Sequence, residues 1–409
     1  MSESTLPQQS TDPAVLAARR AAHPLGAALT WEALERTDGV ELLDRLRDQD
    51  PVSWCDAVGG WLVTSRDLVQ QVYRQPRVFT VDAEANLVRA VLGETMLAVD
   101  GERHKRMRSP FNPTFKYSAV RDRFGEVVAG HVDRIADRLE AQGGAELCAD
   151  FAAPFATAMA AELLGLELDR IDDLRETYEL FARGMNAYDD PDTLDAAVQA
   201  RDRLSGGLGE QLVAARRAGR STLLAEVTSG QGLTDEEAIA DARVIMFGAI
   251  ETVEAMIVNS LWMLLTHDTA RAEVEGDREL LDSAIDEALR ILPPVGFVER
   301  WATEDTALGD VEIAAGDFVV PVLTAANRDP AHFEEPARYD LHRENVRHSV
   351  SFSQGVHHCL GVNLARLEGA ITLGRMLDRW PRLRLDPARP SEPRGFASRR
   401  MPELHVLWS

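Results

Sequence analysis

Cys359 lies in Phe352-Ser353-Gln354-Gly355-Val356-His357-His358-Cys359-Leu360-Gly361, and a helical pattern begins at Val362. A lone cysteine flanked by glycines, with an aromatic residue seven positions upstream and a helix starting just behind it, suits a thiolate ligand. Gly355 and Gly361 let the backbone approach a flat cofactor closely. The positive end of the following helix favours thiolate over thiol, and metal ligation would complete the deprotonation. Two other readings of Cys359 stand beside this one: a buried, inert cysteine, and a zinc ligand acting with His357 and His358. Structural zinc sites use four protein ligands, often in paired short spacings, and Cys55 and Cys148 stand alone.

Three further groups of residues carry chemistry. Gly248-Ala249-Ile250-Glu251-Thr252 places an acid and an alcohol inside an otherwise apolar stretch, Val244 to Leu265. A threonine there can bond back to a carbonyl one turn earlier and bend the helix. Glu287 and Arg290 are three apart and share a helix face, as a bidentate carboxylate–guanidinium pair would. His104 and Arg108 are four apart and also share a face, where they offer partners for an anionic group; Lys105 and Arg106 read as a solvated face, and with Arg103 they form a basic patch able to steer an acidic partner or merely to offset acids such as Asp100 and Glu102.

Together these segments resemble the cytochrome P450 family. The cysteine loop fills every fixed position of its haem-binding pattern, Phe-x-x-Gly-x-x-x-Cys-x-Gly, with Ser353 where many members carry glycine. Residues 248–252 are similar to its oxygen-activation motif, with Ala249 in place of the usual glycine. Glu287 and Arg290 look like its Glu-x-x-Arg pair, and Arg338 like the third member of that network. The stretch from Ala326 to Arg343 looks like the segment that sets loop geometry ahead of the cysteine. The resemblance implies haem b (iron protoporphyrin IX) ligated by Cys359, with Phe352, Gly355 and Gly361 shaping the loop. It implies propionate contacts from His104, Arg108, Arg300 and His357. It also implies a proton-handling role for Glu251 and Thr252 at the haem face.

The elements that position these residues follow from periodicity and punctuation. Apolar spacing predicts helices near residues 121–141, 149–165, 168–184, 190–217, 234–266 and 278–292, the last ended by Pro293-Pro294. Gly206-Gly207 should weaken one of them. Short strands are expected at Val52–Cys55 and Gly60–Thr64, around Val298–Thr303, at Val311–Ile313 and at Phe318–Pro321. This gives a mainly α fold with a minor β region, one P450-like domain over 26–409 after a flexible tail at 1–25. The run from Val244 to Leu265 contains Glu251, Glu254, Asn259 and Ser260; two acids near the centre of a membrane span would be costly, so it reads as a buried core helix.

The 409 residues carry a formal net charge of -23, which argues against a nucleic-acid partner. Three cysteines make no disulfide framework and point to a reducing cytoplasm. The expected function is a haem-thiolate monooxygenase acting on a small, apolar or aromatic organic substrate, by hydroxylation or oxidative dealkylation. Electrons would come from a separate ferredoxin or flavodoxin and its reductase. Pocket-facing residues should include Met246, Phe247, Ala249, Val295, Phe297, Val298 and Phe396, together with the 82–98 loop. A peroxide-driven peroxygenase and a non-catalytic haem sensor are the alternatives.

Overall fold

The apolar run folds as one 32-residue helix, Asp235–Thr266, the axis of the molecule. Its start is fixed by a capping box: Thr234 accepts from the Glu237 N–H, and the Glu237 carboxylate accepts from the Thr234 N–H. By length and composition this helix could cross a membrane, but 67% of its most apolar window is buried inside the protein. Its polar interruptions have partners there. Asn259 donates to the carbonyls of Leu292 and Arg399 and accepts from the Met401 N–H, which removes the cost of burying its amide.

The computed structural model describes residues 8–166, 171–186, 190–229 and 232–409. Helices Ala153–Leu164, Ile171–Asn186, Pro191–Ala218, Leu281–Ile291 and Val362–Arg379 pack on the central helix, and Tyr117–Leu139 packs on the last of these. The main core runs between them through residues such as Phe155, Ile250, Leu261, Ala284 and Leu373. Val362–Arg379 starts where the pattern behind Cys359 begins, and each of the other helices lies within a few residues of its expected span. The first three residues of the helix expected at 168–184 lie outside the described residues. Gly206-Gly207 do not interrupt Pro191–Ala218, which is bracketed by Asp190 as N-cap and by Gly219 in the left-handed region.

The minor β region contains a five-stranded sheet, ordered Val52–Cys55, Gly60–Val63, Phe318–Pro321, Arg300–Ala302 and Phe79–Thr80. Val52 pairs with Val63 across a tight turn, and Trp61 then runs parallel to Val319. A second, three-stranded sheet joins Gly144–Glu146 and Arg384–Leu385 to His405–Leu407.

The expected tail at 1–25 is corrected. Residues 1–7 lie outside the described residues, but Pro13–Ala22 is a helix, capped by Asp12. Its Arg19 guanidinium sits 4.7 Å from the Trp54 ring and 5.2 Å from the Trp61 ring, and bonds Asp317 at 2.6 Å. A largely covered, paired and stacked cation fixes this segment to the sheet.

Candidate functional site

The cysteine loop is built by backbone geometry that few residues tolerate. The Cys359 N–H donates to the Phe352 carbonyl at 2.9 Å, closing the loop. Gly355 has φ +72°, and a Cβ there would lie 2.8 Å from the Tyr73 carbonyl oxygen; glycine meets both demands. Ser353 adopts φ +58°, a region where a side chain costs about 1–3 kcal/mol. Gly361 caps the helix Val362–Arg379. Burial pushes the Cys359 thiol above its usual range, while the Gly361 N–H, Arg108 and Arg366 favour its anion. The Arg366 guanidinium also covers the Phe352 ring at 5.1 Å. No cluster of three or more His, Cys, Asp or Glu able to hold a metal occurs among the described residues. His357 Nε2 lies 2.8 Å from Asp100 Oδ1, so the ring is oriented by that carboxylate.

Behind the loop, Glu287 and Arg290 are both fully buried. Arg290 uses all five N–H groups: two on Glu287 (2.7 and 2.8 Å), and three on the carbonyls of Asn327, Pro336 and Arg338. The Asn327 side chain then accepts from the Val350 N–H at 2.7 Å and donates to Ser351, which in turn bonds the Leu289 carbonyl. The pair thereby ties the helix Leu281–Ile291 to the chain leading into the cysteine loop. The expected third member is corrected. The Arg338 side chain is exposed and pairs with Glu335; only its carbonyl joins the network. Arg343 takes the place, with Nε 2.9 Å from Glu287 Oε1.

His104 and Arg108, on the helix Gly101–Arg108, meet His357 and Arg300. The His104 and His357 rings lie 4.3 Å apart. Arg108 donates to the His358 carbonyl at 2.5 Å, and buried Arg300 donates to the Glu299 carbonyl at 2.6 Å while lying 5.7 Å from the Tyr73 ring. Three buried polar atoms here make no well-formed hydrogen bond: His104 Nε2, the Tyr73 hydroxyl and Ser353 Oγ. Tyr73 and Ser353 are close enough for the serine to oppose the burial that raises the phenol's pKa, but they are not aligned as a hydrogen-bonded pair. Two arginines and several unspent donors beside the cysteine loop fit a cofactor carrying two carboxylates. Tyr73 is a residue that motif reading missed. A cleft of about 640 Å³ opens beside the group, lined by Arg77, Thr80, Asp100, His104, Arg108 and Val356.

Burial, with His357 and Arg108 nearby, lowers the His104 pKa from 6.5 to about 4. Between these values the unfolded chain binds the proton and the haem-free fold does not. Stability contributed by neutral His104 is therefore present above pH 6.5 and lost as pH falls towards 4, on the order of 3 kcal/mol. Urea unfolding of the haem-free protein from pH 7 to 4.5 should show this loss, and His104→Asn should flatten it. Bound propionates, which favour the charged imidazole, should shrink it in the holoprotein. An equal slope in wild type and His104→Asn would refute the assignment.

The central helix carries Glu251 and Thr252 near its middle. Thr252 Oγ1 donates to the Gly248 carbonyl at 2.5 Å, the back-bond its sequence position suggests. Glu251 Oε2 accepts from the Tyr178 hydroxyl at 2.7 Å. Around them, Met246 is fully buried, Phe247 lies 6.0 Å from the Tyr178 ring, and Ala249 packs at the core edge. Val295 and Val298 pack against the sheet core. Phe297 and Phe396 face each other at 4.8 Å, and Phe396 meets Trp31 edge-on in a cluster with Leu34 and Leu62, separate from the one that Val295 and Val298 join. Arg106 pairs with Glu237, Lys105 with Glu102 at 3.7 Å, and Arg103 with Glu94 and Asp82. The cations flanking this helix are therefore engaged by neighbouring acids.

Residues 197–398 match the family model described as Cytochrome P450. The chain is 34% identical over 354 residues, 83% of this chain and 82% of the other, to the 20-oxo-5-O-mycaminosyltylactone 23-monooxygenase of Streptomyces fradiae. It is 32% identical over 84% of each chain to the cytochrome P450 monooxygenase PikC of Streptomyces venezuelae. Among solved structures, myxobacterial cytochrome P450 CYP267B1 in complex with myristic acid superposes with a TM-score of 0.83 at 26% identity, covering 93% of this chain and 98% of that one. A cysteine loop, a braced Glu-x-x-Arg helix and an acid–alcohol pair on the central helix thus coincide with likeness along most of the chain, which belongs to the cytochrome P450 family and is a haem-b-binding monooxygenase.

Proposed function

We propose that this monooxygenase hydroxylates or oxidatively dealkylates a small, largely apolar organic molecule in the cytoplasm. In this reading its electrons come from a separate ferredoxin or flavodoxin and its reductase. The observation that carries the reading is the acid–alcohol pair Glu251 and Thr252 on the central helix of a chain that also carries a Cys359 loop braced by Glu287 and Arg290. The apolar character of Met246, Phe247, Ala249, Val295 and Val298 supports a hydrocarbon-rich substrate, as does the myristic acid bound by a structural relative.

Haem held through Cys359 supplies dioxygen activation and transfer of one oxygen atom to the substrate, the second leaving as water at the cost of two electrons and two protons. The protein must deliver those two protons and keep other water away. Thr252, with its hydrogen given to the Gly248 carbonyl, presents its oxygen lone pairs as an acceptor. Rotation of Oγ1 away from that carbonyl turns the hydroxyl into a donor. Glu251, one residue earlier on the same helix, is the nearest acid in sequence able to replace the proton. Arg300, Arg108, His104 and His357 bind and orient the cofactor through its carboxylates.

Thr252→Ala should still consume reductant in the presence of a good substrate but divert most of it to peroxide. Glu251→Gln should slow product formation about 10²-fold, the low end for a positioned acid. Product formed per electron is the measurement. An unchanged ratio in both variants would overturn the proton-handling assignment.

A further inference from the structure

Glu251 does not point at Thr252 alone. Its Oε2 is held by the Tyr178 hydroxyl at 2.7 Å, and its Oε1 lies 3.9 Å from Arg400 Nη1. The same Arg400 nitrogen lies 3.6 Å from Glu254 Oε2, one turn further along the central helix. Glu254 is only 6% exposed, and its other oxygen is bonded by Arg175. Tyr178 and Arg175 both come from the helix Ile171–Asn186, so one helix grips both acids. On the far side of this group lies a cavity of about 220 Å³, lined by Arg175, Glu254, Arg400, Glu146, Cys148 and Met401 among others. It is large enough for several waters. A continuous set of polar side chains thus connects that cavity to Glu251.

We propose that protons for the oxygenation reach Glu251 from water in this cavity by way of Glu254 and the solvent around Arg400, and that Tyr178 and Arg400 are positioning residues that hold the Glu251 carboxylate at the end of the path. The inference rests on the assignment of Glu251 as the proton-handling acid. Each proton passed on from Glu251 is replaced by one from cavity water, and no side chain of the path gains or loses charge over a cycle. Burial and the adjacent Glu251 raise the Tyr178 pKa, so the phenol keeps its proton and acts as a fixed donor. Burial also raises the Glu254 pKa against the pull of Arg175, which favours its protonated form.

The test uses the haem-loaded enzyme with a substrate that it oxidises. Tyr178→Phe removes one hydrogen bond to a charged group and should lower product per electron about tenfold. The solvent deuterium isotope effect on product formation should rise, while haem content and substrate affinity stay at wild-type values. Arg400→Gln should act in the same direction and Arg400→Lys should restore most of the loss. Glu254→Gln should enlarge the isotope effect too. In the resting protein, without turnover, ultraviolet resonance Raman difference spectra against Tyr178→Phe should report a donating tyrosine whose signature shifts in Glu251→Gln. If Glu251→Gln uncouples the enzyme but Tyr178→Phe, Arg400→Gln and Glu254→Gln all match wild type in coupling and isotope effect, the path is wrong and the acid assignment stands. If Glu251→Gln also matches wild type, both fall.

Discussion

In Cys359→His protein, the reduced, carbon monoxide-bound absorption of thiolate-ligated haem should be absent, and monooxygenase turnover should fall to background. The reason is electronic as well as structural. A thiolate pushes electron density onto iron and favours O–O cleavage, and an imidazole at the same position supplies less. The other two cysteines are poor substitutes. Cys55 is fully buried in the first strand of the five-stranded sheet, and Cys148 sits on the cavity side of the Ala153–Leu164 helix with its thiol pushed up by burial. A thiolate-type band that survives in Cys359→His would show that the ligand lies elsewhere. Haem bound without that band in wild type would do the same.

Glu287→Ala should destabilise the protein by about 3–5 kcal/mol, because it leaves Arg290, 0% exposed, as a buried charge without its carboxylate. Arg343 and the Asp340 N–H lose the same partner. The loss should appear as a lower urea midpoint and as haem-poor or insoluble protein, since Asn327 and Ser351 transmit the brace to the cysteine loop. Arg290→Lys keeps the charge but supplies three donors where five are used, and should fall between wild type and Glu287→Ala. Soluble, fully haem-loaded Glu287→Ala with an unchanged midpoint would contradict the bracing role.

The parts of this molecule that were legible in its sequence share a property: they are local. The Phe352–Gly361 loop, the Glu251–Thr252 pair and the Glu287–Arg290 pair each lie within ten residues, so spacing alone places their members together. The helices around them follow from periodicity and from caps such as Thr234 and Gly219. What could not be read depends on how distant segments meet. Arg338 and Arg343 are five residues apart, and which one faces Glu287 is decided by a turn in which Glu335 takes φ +44°, a conformation its residue type does not announce. The helix Pro13–Ala22 is held by Asp317, 298 positions from Arg19. Tyr73, Tyr178 and Arg400 sit in no motif, and only the fold brings them to the cysteine loop and the central helix.

The stretch 394–407 ties together segments that lie far apart in the chain. The Gly296 N–H donates to the Ala397 carbonyl, Val295 bridges Ser398, Asn259 holds Met401 across 142 residues, and His405–Leu407 closes the sheet begun at Gly144. Gly296 runs so close beneath this stretch that a Cβ there would fall 1.8 Å from the Phe396 carbonyl oxygen. During synthesis this stretch emerges long after the segment it pairs with: at roughly 5–20 residues per second, Val295 waits about 6–22 s for the strand ending at Leu407. Until then the nascent chain holds Val295 and Gly296 without the partners that 394–407 supplies. Substitution of Gly296, which would break its close approach to Phe396, should lower the yield of loaded protein made in cells.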